Sequence, residues 1–508
     1  MRTMRTHPLA TRAAAALLAL CLVAACGTRL SDEDFTAAGQ QTGADDGGSG
    51  SDGGSGGSGG SDGDSAATDG SATTGGDAGT TGGTDGGTGA TGGATGGSTG
   101  GGGGPNTASD VGVTASTITI GNITAENGVL GDAFAPAVRG LRAWVQAINA
   151  KGGINGRQVI LKTCDDREDR ARTLECARRL VEQDKVFALI STNTRAMGGA
   201  AQYLNDQGIP VMGMPITNSF HRYPHFWGLY PQPLGYPRDG KTVGWQGKLM
   251  FLTGLYRWFH EEVKVSKGAV FTYDIDESKQ AGEGFAQGMR LEGIPTTVFT
   301  VSFAAPSFDQ AVAQMQSEGV DIIVDSMDDG ANRKLCDAMA RRQFKVKAKV
   351  STIVAFGDAV GERYNDTCRN NVYIPGSSIP YTEESNPVVK EFRAAYQKYQ
   401  PGQDFHQWAL EAWWQGNTLR DYLLQAGGSP TRKGWEDFLR GLRKYSGGGI
   451  MTGLDYHPVD YTTPTREECF TVTRWLDSEG GWVQATNKFP YCVPTAKQFG
   501  VPALEQGN

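Results

Sequence analysis

The stretch VRGLRAWVQAINAKGGINGRQV, residues 138–159, decides the fold of this chain. It continues an amphipathic helix pattern whose apolar residues recur every three or four positions, at Phe134, Val138, Leu141, Val145 and Ile148. Gly152 and Gly153 favour the positive φ that ends a helix, and Asn155-Gly156 favours a tight turn before an apolar run at 159–161. The stretch therefore predicts a unit of strand, helix, turn and strand, with the helix packed on a parallel sheet.

Strand-like and helix-like segments alternate outward from this stretch. The predicted strands lie at 117–121, 159–163, 186–191, 210–214, 268–272, 296–303 and 321–325. The predicted helices lie at 136–151, 171–183, 196–207, 243–262, 281–292, 308–317, 332–342, 386–400, 407–425 and 432–444. Buried strands with helices between them predict an α/β fold with parallel, doubly wound sheets.

The chain resembles the leucine-isoleucine-valine-binding family of type I periplasmic binding proteins. The string INAKGGINGR at 148–157 carries the resemblance most strongly, and further strings lie at 164–190, 208–213, 281–289, 319–324 and 447–456. The resemblance spans roughly residues 111–483. It implies two doubly wound parallel-sheet lobes joined by three hinge crossings, and a binding function without catalysis.

These observations predict six segments. A signal peptide covers 1–25 and a disordered tether covers 26–109, followed by lobe 1 at 110–232, lobe 2 at 233–375, the second part of lobe 1 at 376–449, and the last strands and tail of lobe 2 at 450–508. The hinge crossings are expected near 230–237, 373–377 and 447–452.

The N-terminus indicates export. Arg2, Arg5 and Arg12 precede an uncharged run at 13–25, which is typical of a secretory signal and too short to span a bilayer as a helix. The run ends in Val-Ala-Ala-Cys-Gly and resembles a bacterial lipobox, which predicts a lipidated Cys26 at the outer face of the bacterial cell membrane. The alternative is a plainly secreted protein in which Cys26 is incidental.

Residues 31–105 are mostly Gly, Ser, Thr, Asp and Ala, and they lack the apolar side chains that could offset the entropy of ordering. They predict a tether. The formal charge of the whole chain is −8, and loss of the signal removes three arginines, which brings it to −11. An acidic body of this kind argues against nucleic acid as a partner.

Six cysteines remain after Cys21 and Cys26 are set aside, and an even number in an exported chain predicts disulfides. We predict the sequential pairs Cys164–Cys176, Cys336–Cys368 and Cys469–Cys492, because each pair lies within one supersecondary unit. Zinc is the alternative, but the chain has no Cys-x-x-Cys spacing. We therefore expect neither a metal nor a cofactor.

Loops at the carboxyl ends of parallel strands form the expected ligand site. The family pattern places Asn127 after the first strand, Thr192, Thr194 and Arg195 after the third, Thr217 after the fourth, and Asp328, Asp329 and Asp358 in the second lobe. Arg195 is expected to bind an anionic group of a zwitterionic ligand, with an amine near Asp328 or Asp329. The alternatives are that the three threonines only cap helices and that Arg195 pairs with a surface acid.

The predicted function is that of an extracytoplasmic, lipid-anchored solute-binding protein. It captures a small polar ligand, an amino acid or a related metabolite, by lobe closure and delivers it to an ABC permease. A lipid-anchored sensor with the same fold is the alternative. An enzyme is not expected, because no nucleophile or paired-carboxylate arrangement lies on a suitable turn.

Overall fold

The computed structural model describes residues 105–128, 131–229, 238–456 and 459–504. The predicted signal peptide, Cys26, nearly all of the predicted tether and the first predicted hinge crossing lie outside these residues. In the described part, no helix combines the length and the apolar character that a membrane crossing requires.

Lobe 1 is built on a sheet of five parallel strands in the order β2-β1-β3-β4-β5. The strands are β1 Thr117–Thr124, β2 Gln158–Asp165, β3 Leu189–Thr192, β4 Val211–Gly213 and β5 Phe226–Gly228. The helix Gly131–Ala150 joins β1 to β2, so the prediction from residues 138–159 is confirmed.

Lobe 2 is built on a nine-stranded mixed sheet in the order β6-β14-β12-β11-β10-β9-β7-β8, with β13 paired to β12. Its strands are β6 Lys248–Leu252, β7 Gly268–Tyr273, β8 Thr296–Val301, β9 Ile322–Asp325, β10 Ala348–Val350, β11 Val372–Gly376, β12 Thr465–Leu476, β13 Gly481–Gln484 and β14 Tyr491–Pro502. Strands β7 to β11 are parallel and repeat the order of lobe 1, whereas the other four pair antiparallel. The expectation of a parallel sheet therefore holds for the doubly wound half of lobe 2.

The helices of the described part flank these sheets. The α-helices are Gly131–Ala150, Arg170–Arg178, Ala201–Asp206, Ser219–Arg222, Gly254–Trp258, Asp276–Leu291, Asp309–Glu318, Asp329–Arg341, Val360–Arg363, Pro387–Tyr399, Gln407–Ala426 and Arg432–Gly441. Short 3₁₀ or π turns extend or replace some of them, at Arg179–Gln183, Arg195–Gly199, Phe259–Val263, Ile353–Ala355, Arg369–Asn371 and Asp477–Glu479.

The predicted helix at 243–262 is wrong over 243–253 and confirmed over its second half, where Gly254–Trp258 and Phe259–Val263 are helical. Gly244 and Gly247 have φ values of 65° and 76°, which a continuing helix excludes. The chain then forms β6, which pairs antiparallel with β14, and becomes helical at Gly254–Trp258. Pairing with a strand about 240 residues later in the chain overrides the local apolar pattern.

The helix Gly131–Ala150 packs closely on the helix Gln407–Ala426 of lobe 1. A Cβ atom on Gly140 would lie 2.2 Å from the carbonyl oxygen of Ala409, and one on Gly416 would lie 2.3 Å from the Trp144 ring. The Trp144 indole also donates to Asn417 Oδ1 at 3.0 Å. The two glycines therefore set the distance between the helices.

Two of the predicted hinge crossings run side by side. The Ile379 amide donates to the Ile450 carbonyl at 2.7 Å, and the Thr452 amide donates to the Ser377 carbonyl at 2.7 Å. Ser378 and Met451 form an antiparallel bridge between the same segments. The two connections thus form a short two-stranded link.

All three predicted disulfides are present, so the sequential pairing is confirmed. Cys164–Cys176 fastens the end of β2 to the following helix, and Cys336–Cys368 fastens the helix Asp329–Arg341 to the turn before β11. Cys469–Cys492 joins directly paired positions of β12 and β14.

The first described residues are fixed to lobe 1 by what we call the N-terminal clasp, residues 106–110. The Thr107 amide donates to the Gly428 carbonyl at 3.0 Å, and Asp110 Oδ2 accepts the Arg432 amide at 2.7 Å. Arg157 Nη2 donates to the carbonyls of Thr107 and Gly428 at 3.1 and 2.7 Å. The clasp therefore lies on the side of lobe 1 where β1 and β2 begin.

Candidate functional site

Polar side chains line the carboxyl ends of the lobe 1 strands, on the side opposite the N-terminal clasp. Asn122, near the end of β1, is fully buried, and its Nδ2 donates to the carbonyls of Ile190 and Ser191 at 3.0 and 2.7 Å. Thr124 closes the same strand and forms a parallel bridge with Asn193. The ends of β1 and β3 are thus joined through polar groups.

Ser191 interrupts β3 with a strained backbone. Its φ is +58°, and the register of β3 against β4 shifts between Ile190 and Thr192. This left-handed conformation is uncommon for a residue other than glycine, and such strain concentrates at functional sites. The Ser191 amide, released from the strand ladder, donates to Gln415 Oε1 at 3.2 Å.

Seven buried side chains at this edge form what we call the lobe 1 polar cluster. Its members are Asn122, Thr124, Ser191, Thr192, Asn193, Thr217 and Gln415, and none is more than 3% exposed. Each has at least one polar side-chain atom without a hydrogen-bond partner among the described residues. Leaving such an atom buried without a hydrogen bond costs about 1–3 kcal/mol of free energy. A ligand that forms the missing hydrogen bond therefore binds more tightly. The cluster is therefore the candidate ligand site.

Of the predicted binding residues, Thr192 and Thr217 belong to this cluster. Thr194 Oγ1 accepts the Ala196 amide at 3.0 Å and so caps a 3₁₀ turn, which is the alternative that the sequence left open. Asn127 is exposed, and its Nδ2 donates to Asp165 Oδ2 at 2.6 Å.

Arg195 makes contacts on both lobes. Its Nε donates to Glu168 Oε2 at 2.6 Å, and its guanidinium carbon lies 5.0 Å from the ring centre of Phe303 in lobe 2. Burial raises the pKa of Glu168, and the nearby Arg195 charge opposes that rise. Arg195 is therefore already paired with an acid, and it also links lobe 1 to lobe 2.

Asp328 begins the helix Asp329–Arg341 in lobe 2. Its Oδ1 accepts the Ala331 amide at 3.1 Å, and its Oδ2 accepts the Tyr273 hydroxyl. Burial, followed by the Asp328 carboxylate, raises the pKa of Tyr273, so the tyrosine stays a hydrogen-bond donor. Tyr273 also packs edge-on against Phe303, with ring centres 5.0 Å apart.

The other two predicted acids are engaged by different partners. Asp329 Oδ2 lies 3.4 Å from Arg333 Nε and 3.2 Å from Arg363 Nη1. Asp358 accepts the Tyr381 hydroxyl at 2.7 Å and the Phe405 amide at 3.2 Å, and burial raises its pKa. These contacts do not bring either acid to the lobe 1 polar cluster.

Lobe 2 has a buried arrangement of its own, the lobe 2 polar network, formed by Asp325, Asn332, Lys349 and Ser351. Lys349 Nζ lies 2.9 Å from Asp325 Oδ2 and 2.7 Å from Ser351 Oγ, and it also donates to Asn332 Oδ1. The side chains of Lys349 and Asp325 are 0% exposed. This network is internally satisfied and offers little to a ligand.

Five cluster members were not among the predicted binding residues: Asn122, Thr124, Ser191, Asn193 and Gln415. Gln415 carries a signal, because a polar side chain on the buried face of a helix needs a polar partner, but Gln407, Glu411 and Asn417 of the same helix carry the same signal. Asn122 carries a similar one, since asparagine is unfavourable inside a buried strand.

One group in the described part combines potential metal ligands, Glu467 with Cys469 and Cys492. The two sulfurs are bonded to each other, so neither is a free thiolate.

The family comparison agrees with this fold. The model of the family described as "Periplasmic binding protein" matches residues 117–479, which is more than half of the chain, and the chain belongs to that family. Its members are extracytoplasmic binding proteins and not enzymes.

Solved structures share the fold. A leucine binding protein from Thermotoga maritima has a TM-score of 0.55 at 15% identity, covering 72% of this chain and 97% of its own. A branched-chain amino acid transporter substrate binding protein from Streptococcus pneumoniae, in complex with isoleucine, has a TM-score of 0.56 at 17% identity. The match covers 74% of this chain and 99% of that protein. A solute binding protein of an ABC transporter from R. palustris, in complex with benzoate, has a TM-score of 0.56 at 14% identity. The match covers 77% of this chain and 100% of that protein.

The search of curated proteins found no match. At these identities the solved structures establish the fold of the chain and leave its ligand to be argued from its own residues.

Proposed function

We propose that this protein is a lipid-anchored solute-binding protein that captures a small polar ligand between its lobes and delivers it to an ABC importer. The lobe 1 polar cluster carries the proposal, because seven buried side chains with unpartnered atoms meet at the carboxyl ends of β1, β3 and β4. That edge is where open α/β sheets bind ligands.

Lobe closure around the ligand is the proposed mechanism of capture. The paired crossings near Ser377 and Thr452 are short, and links of this kind allow one lobe to move against the other. The contact of Arg195 with Phe303 connects lobe 1 to lobe 2 beside the cluster, so closure is favoured by a direct contact as well as by the ligand.

The ligands named for the similar structures are small molecules, isoleucine in one and benzoate in another. They support a small ligand and not a macromolecule. Among the residues proposed from the sequence, Thr192 and Thr217 have unpartnered hydroxyls that favour a direct role. Binding roles for Asn127, Thr194, Arg195, Asp328, Asp329 and Asp358 remain proposals.

The anchor and tether complete the proposal. Lipidation at Cys26 after cleavage of 1–25 holds the chain at the outer face of the cell membrane, and the segment at 26–109 connects it to the binding body. The lobe limits at 110–232, 233–375, 376–449 and 450–508 are part of the same proposal.

Two measurements test the function. Thermal melting of the full chain in detergent against a library of small metabolites should find a stabilising ligand, by about 2.7 kcal/mol at 100 times its dissociation constant, and X-ray scattering should show contraction when it binds. Asn193→Ala should weaken binding at least tenfold, with the exposed Asn487→Ala as the matched control. Contraction that is absent at saturation contradicts capture by closure.

The anchor has a separate test. Palmitate labelling of cells should tag the wild-type protein and fail for Cys26→Ala, while Cys21→Ala should still be labelled. Labelling that survives the loss of Cys26 contradicts the proposed anchor.

A further inference from the structure

The hydrogen-bonding capacity of the lobe 1 polar cluster restricts the chemistry of its ligand. The unpartnered atoms are four hydroxyls, on Thr124, Ser191, Thr192 and Thr217, together with two amide oxygens and two amide nitrogens, Asn122 Oδ1, Asn193 Oδ1, Asn193 Nδ2 and Gln415 Nε2. An amide oxygen only accepts, an amide nitrogen only donates, and a hydroxyl does both. A ligand that satisfies the cluster must therefore both donate and accept.

The amide orientations follow from neighbouring contacts. Asn122 donates through Nδ2 to two carbonyls, which leaves its Oδ1 as the free acceptor. Gln415 accepts the Ser191 amide through Oε1, which leaves its Nε2 as the free donor. A carboxylate provides no proton for Asn122 Oδ1, and an ammonium provides no lone pair for Gln415 Nε2.

The ionic side chains expected near the ligand are paired inside the protein. Arg195 is paired with Glu168 at 2.6 Å, and Asp329 lies between Arg333 and Arg363. Asp328 accepts a helix amide and the Tyr273 hydroxyl. A charged ligand would be desolvated against a cluster whose own members are all uncharged, which is unfavourable without a counter-ion.

We infer that the ligand is uncharged and rich in groups that donate and accept at once, namely primary amides or hydroxyls. This inference rests on the proposed function and names the class of its ligand. It differs from the zwitterion that the sequence suggested, for which Arg195, Asp328 and Asp329 would have to exchange their present partners for the ligand.

Isosteric pairs provide the sharpest test. Benzamide against benzoate and propionamide against propionate have nearly equal shapes but exchange an N–H donor for a charge. D-glucose and myo-inositol form a hydroxyl arm, and L-leucine and L-isoleucine form a zwitterionic arm. Calorimetric titration of the full chain in detergent should show at least tenfold tighter binding for one uncharged arm than for any charged compound, and the arm that binds identifies amides or hydroxyls.

A variant locates the effect. Asn193→Asp keeps the side-chain size but replaces a donor with a charged acceptor, and it should weaken binding of the best uncharged compound at least tenfold. Asn487→Asp makes the same change at an exposed position of lobe 2 and should alter binding less than twofold.

The outcomes separate the two proposals. Binding of only charged or zwitterionic compounds, with contraction in scattering, overturns the ligand class and leaves the proposed function intact. Binding of an uncharged compound without contraction in scattering supports the inferred ligand class and overturns capture by lobe closure. If no uncharged compound binds, the inference is overturned whatever the charged arms do, and if no compound of any arm binds, the result counts against both proposals.

Discussion

Lobes 1 and 2 share one strand order, but the buried polar groups at the carboxyl ends of their parallel strands differ. At the ends of β1, β3 and β4, lobe 1 buries uncharged side chains with unpartnered atoms, whereas lobe 2 buries the charged pair of Asp325 and Lys349 with its hydrogen bonds satisfied. The same topology therefore supports a recognition surface in one lobe and a closed structural network in the other. The fold indicates where a ligand can bind, and the unpartnered buried atoms are the reason why lobe 1 is proposed to supply most of the contacts.

The largest expected effect comes from breaking the lobe 2 polar network. Lys349→Met leaves the Asp325 carboxylate buried without its cation, and we expect a loss of about 3–5 kcal/mol in the free energy of unfolding, measured with urea. Lys347→Met is the matched control, because its pair with Asp321 at 3.0 Å is half-exposed on the lysine side. Lys347→Met should lower the free energy of unfolding by less than about 1 kcal/mol.

The double variant Lys349→Met with Asp325→Leu should recover much of this stability, because it removes both charges together. Equal losses for Lys349→Met and Lys347→Met would show that the network is not stabilised by its pairing.

The next effect concerns Glu468 on β12, a buried carboxyl in lobe 2 that accepts the Gly254 amide at 2.6 Å. Burial raises its pKa to about 7. A raised carboxyl pKa means that the folded protein holds the proton more tightly than the unfolded chain. The stability this group contributes is therefore full below about pH 4.5 and is lost as the pH rises through 7, by about 3 kcal/mol.

Glu468→Gln should remove this slope in unfolding free energy between pH 4.5 and 7 while keeping the acceptor for the Gly254 amide. The exposed Glu479→Gln should leave the slope unchanged. A wild-type profile as flat as that of the glutamine variant would contradict the raised pKa.

Two buried threonines of lobe 1 allow a comparison, because the Thr173 hydroxyl has a hydrogen-bond partner and the Thr217 hydroxyl has none in the described part. Thr173 donates to Asp166 Oδ2 at 2.7 Å, so Thr173→Val should lose about 1.5–3 kcal/mol of stability. Thr217 has no partner for its hydroxyl in the described part, so Thr217→Val should leave the unliganded protein unchanged or up to about 1 kcal/mol more stable. Urea unfolding measures both, and equal losses would remove Thr217 from the candidate site.

The smallest expected effect is at one of the contacts between the lobes, that of Arg195 with Phe303. Phe303→Leu removes the ring beneath Arg195, a contact worth about 0.5–1 kcal/mol, and should weaken ligand binding two- to fivefold by favouring the open form. Scattering of the unliganded variant should show a larger radius of gyration. Phe438→Leu, a partly buried change on a lobe 1 helix, is the control.

Much of the architecture follows from residues 138–159 and from the alternation around them. Local apolar patterns predict strands such as β7 and β9 well, since these strands are buried on both faces. They fail for residues 243–253, where β6 exists because a distant strand pairs with it. The strands β5 and β10 were not predicted, because β5 lies between Pro224 and Pro231 and lysines alternate with the apolar residues around β10, so neither stands in an apolar run like that of the equally short β4.

The candidate site was predictable at the level of loops but less so at the level of side chains. Thr192 and Thr217 follow from the rule that ligands bind at carboxyl strand ends. The sequence does not reveal that Arg195 lies within reach of Glu168, because that distance depends on two loops meeting in space. Gln415 reaches the site from a helix more than 200 residues later than Ser191.

The N-terminal clasp has a mechanical consequence. Tension in the chain that precedes residue 105 is applied to the hydrogen bonds that Thr107 and Asp110 make with Gly428 and Arg432. Those bonds lie on the side of lobe 1 where its strands begin, so the load enters lobe 1 and does not pull across the two described crossings between the lobes. If the proposed anchor holds the protein at the membrane, a pull on the tether would leave the proposed movement of one lobe against the other unforced.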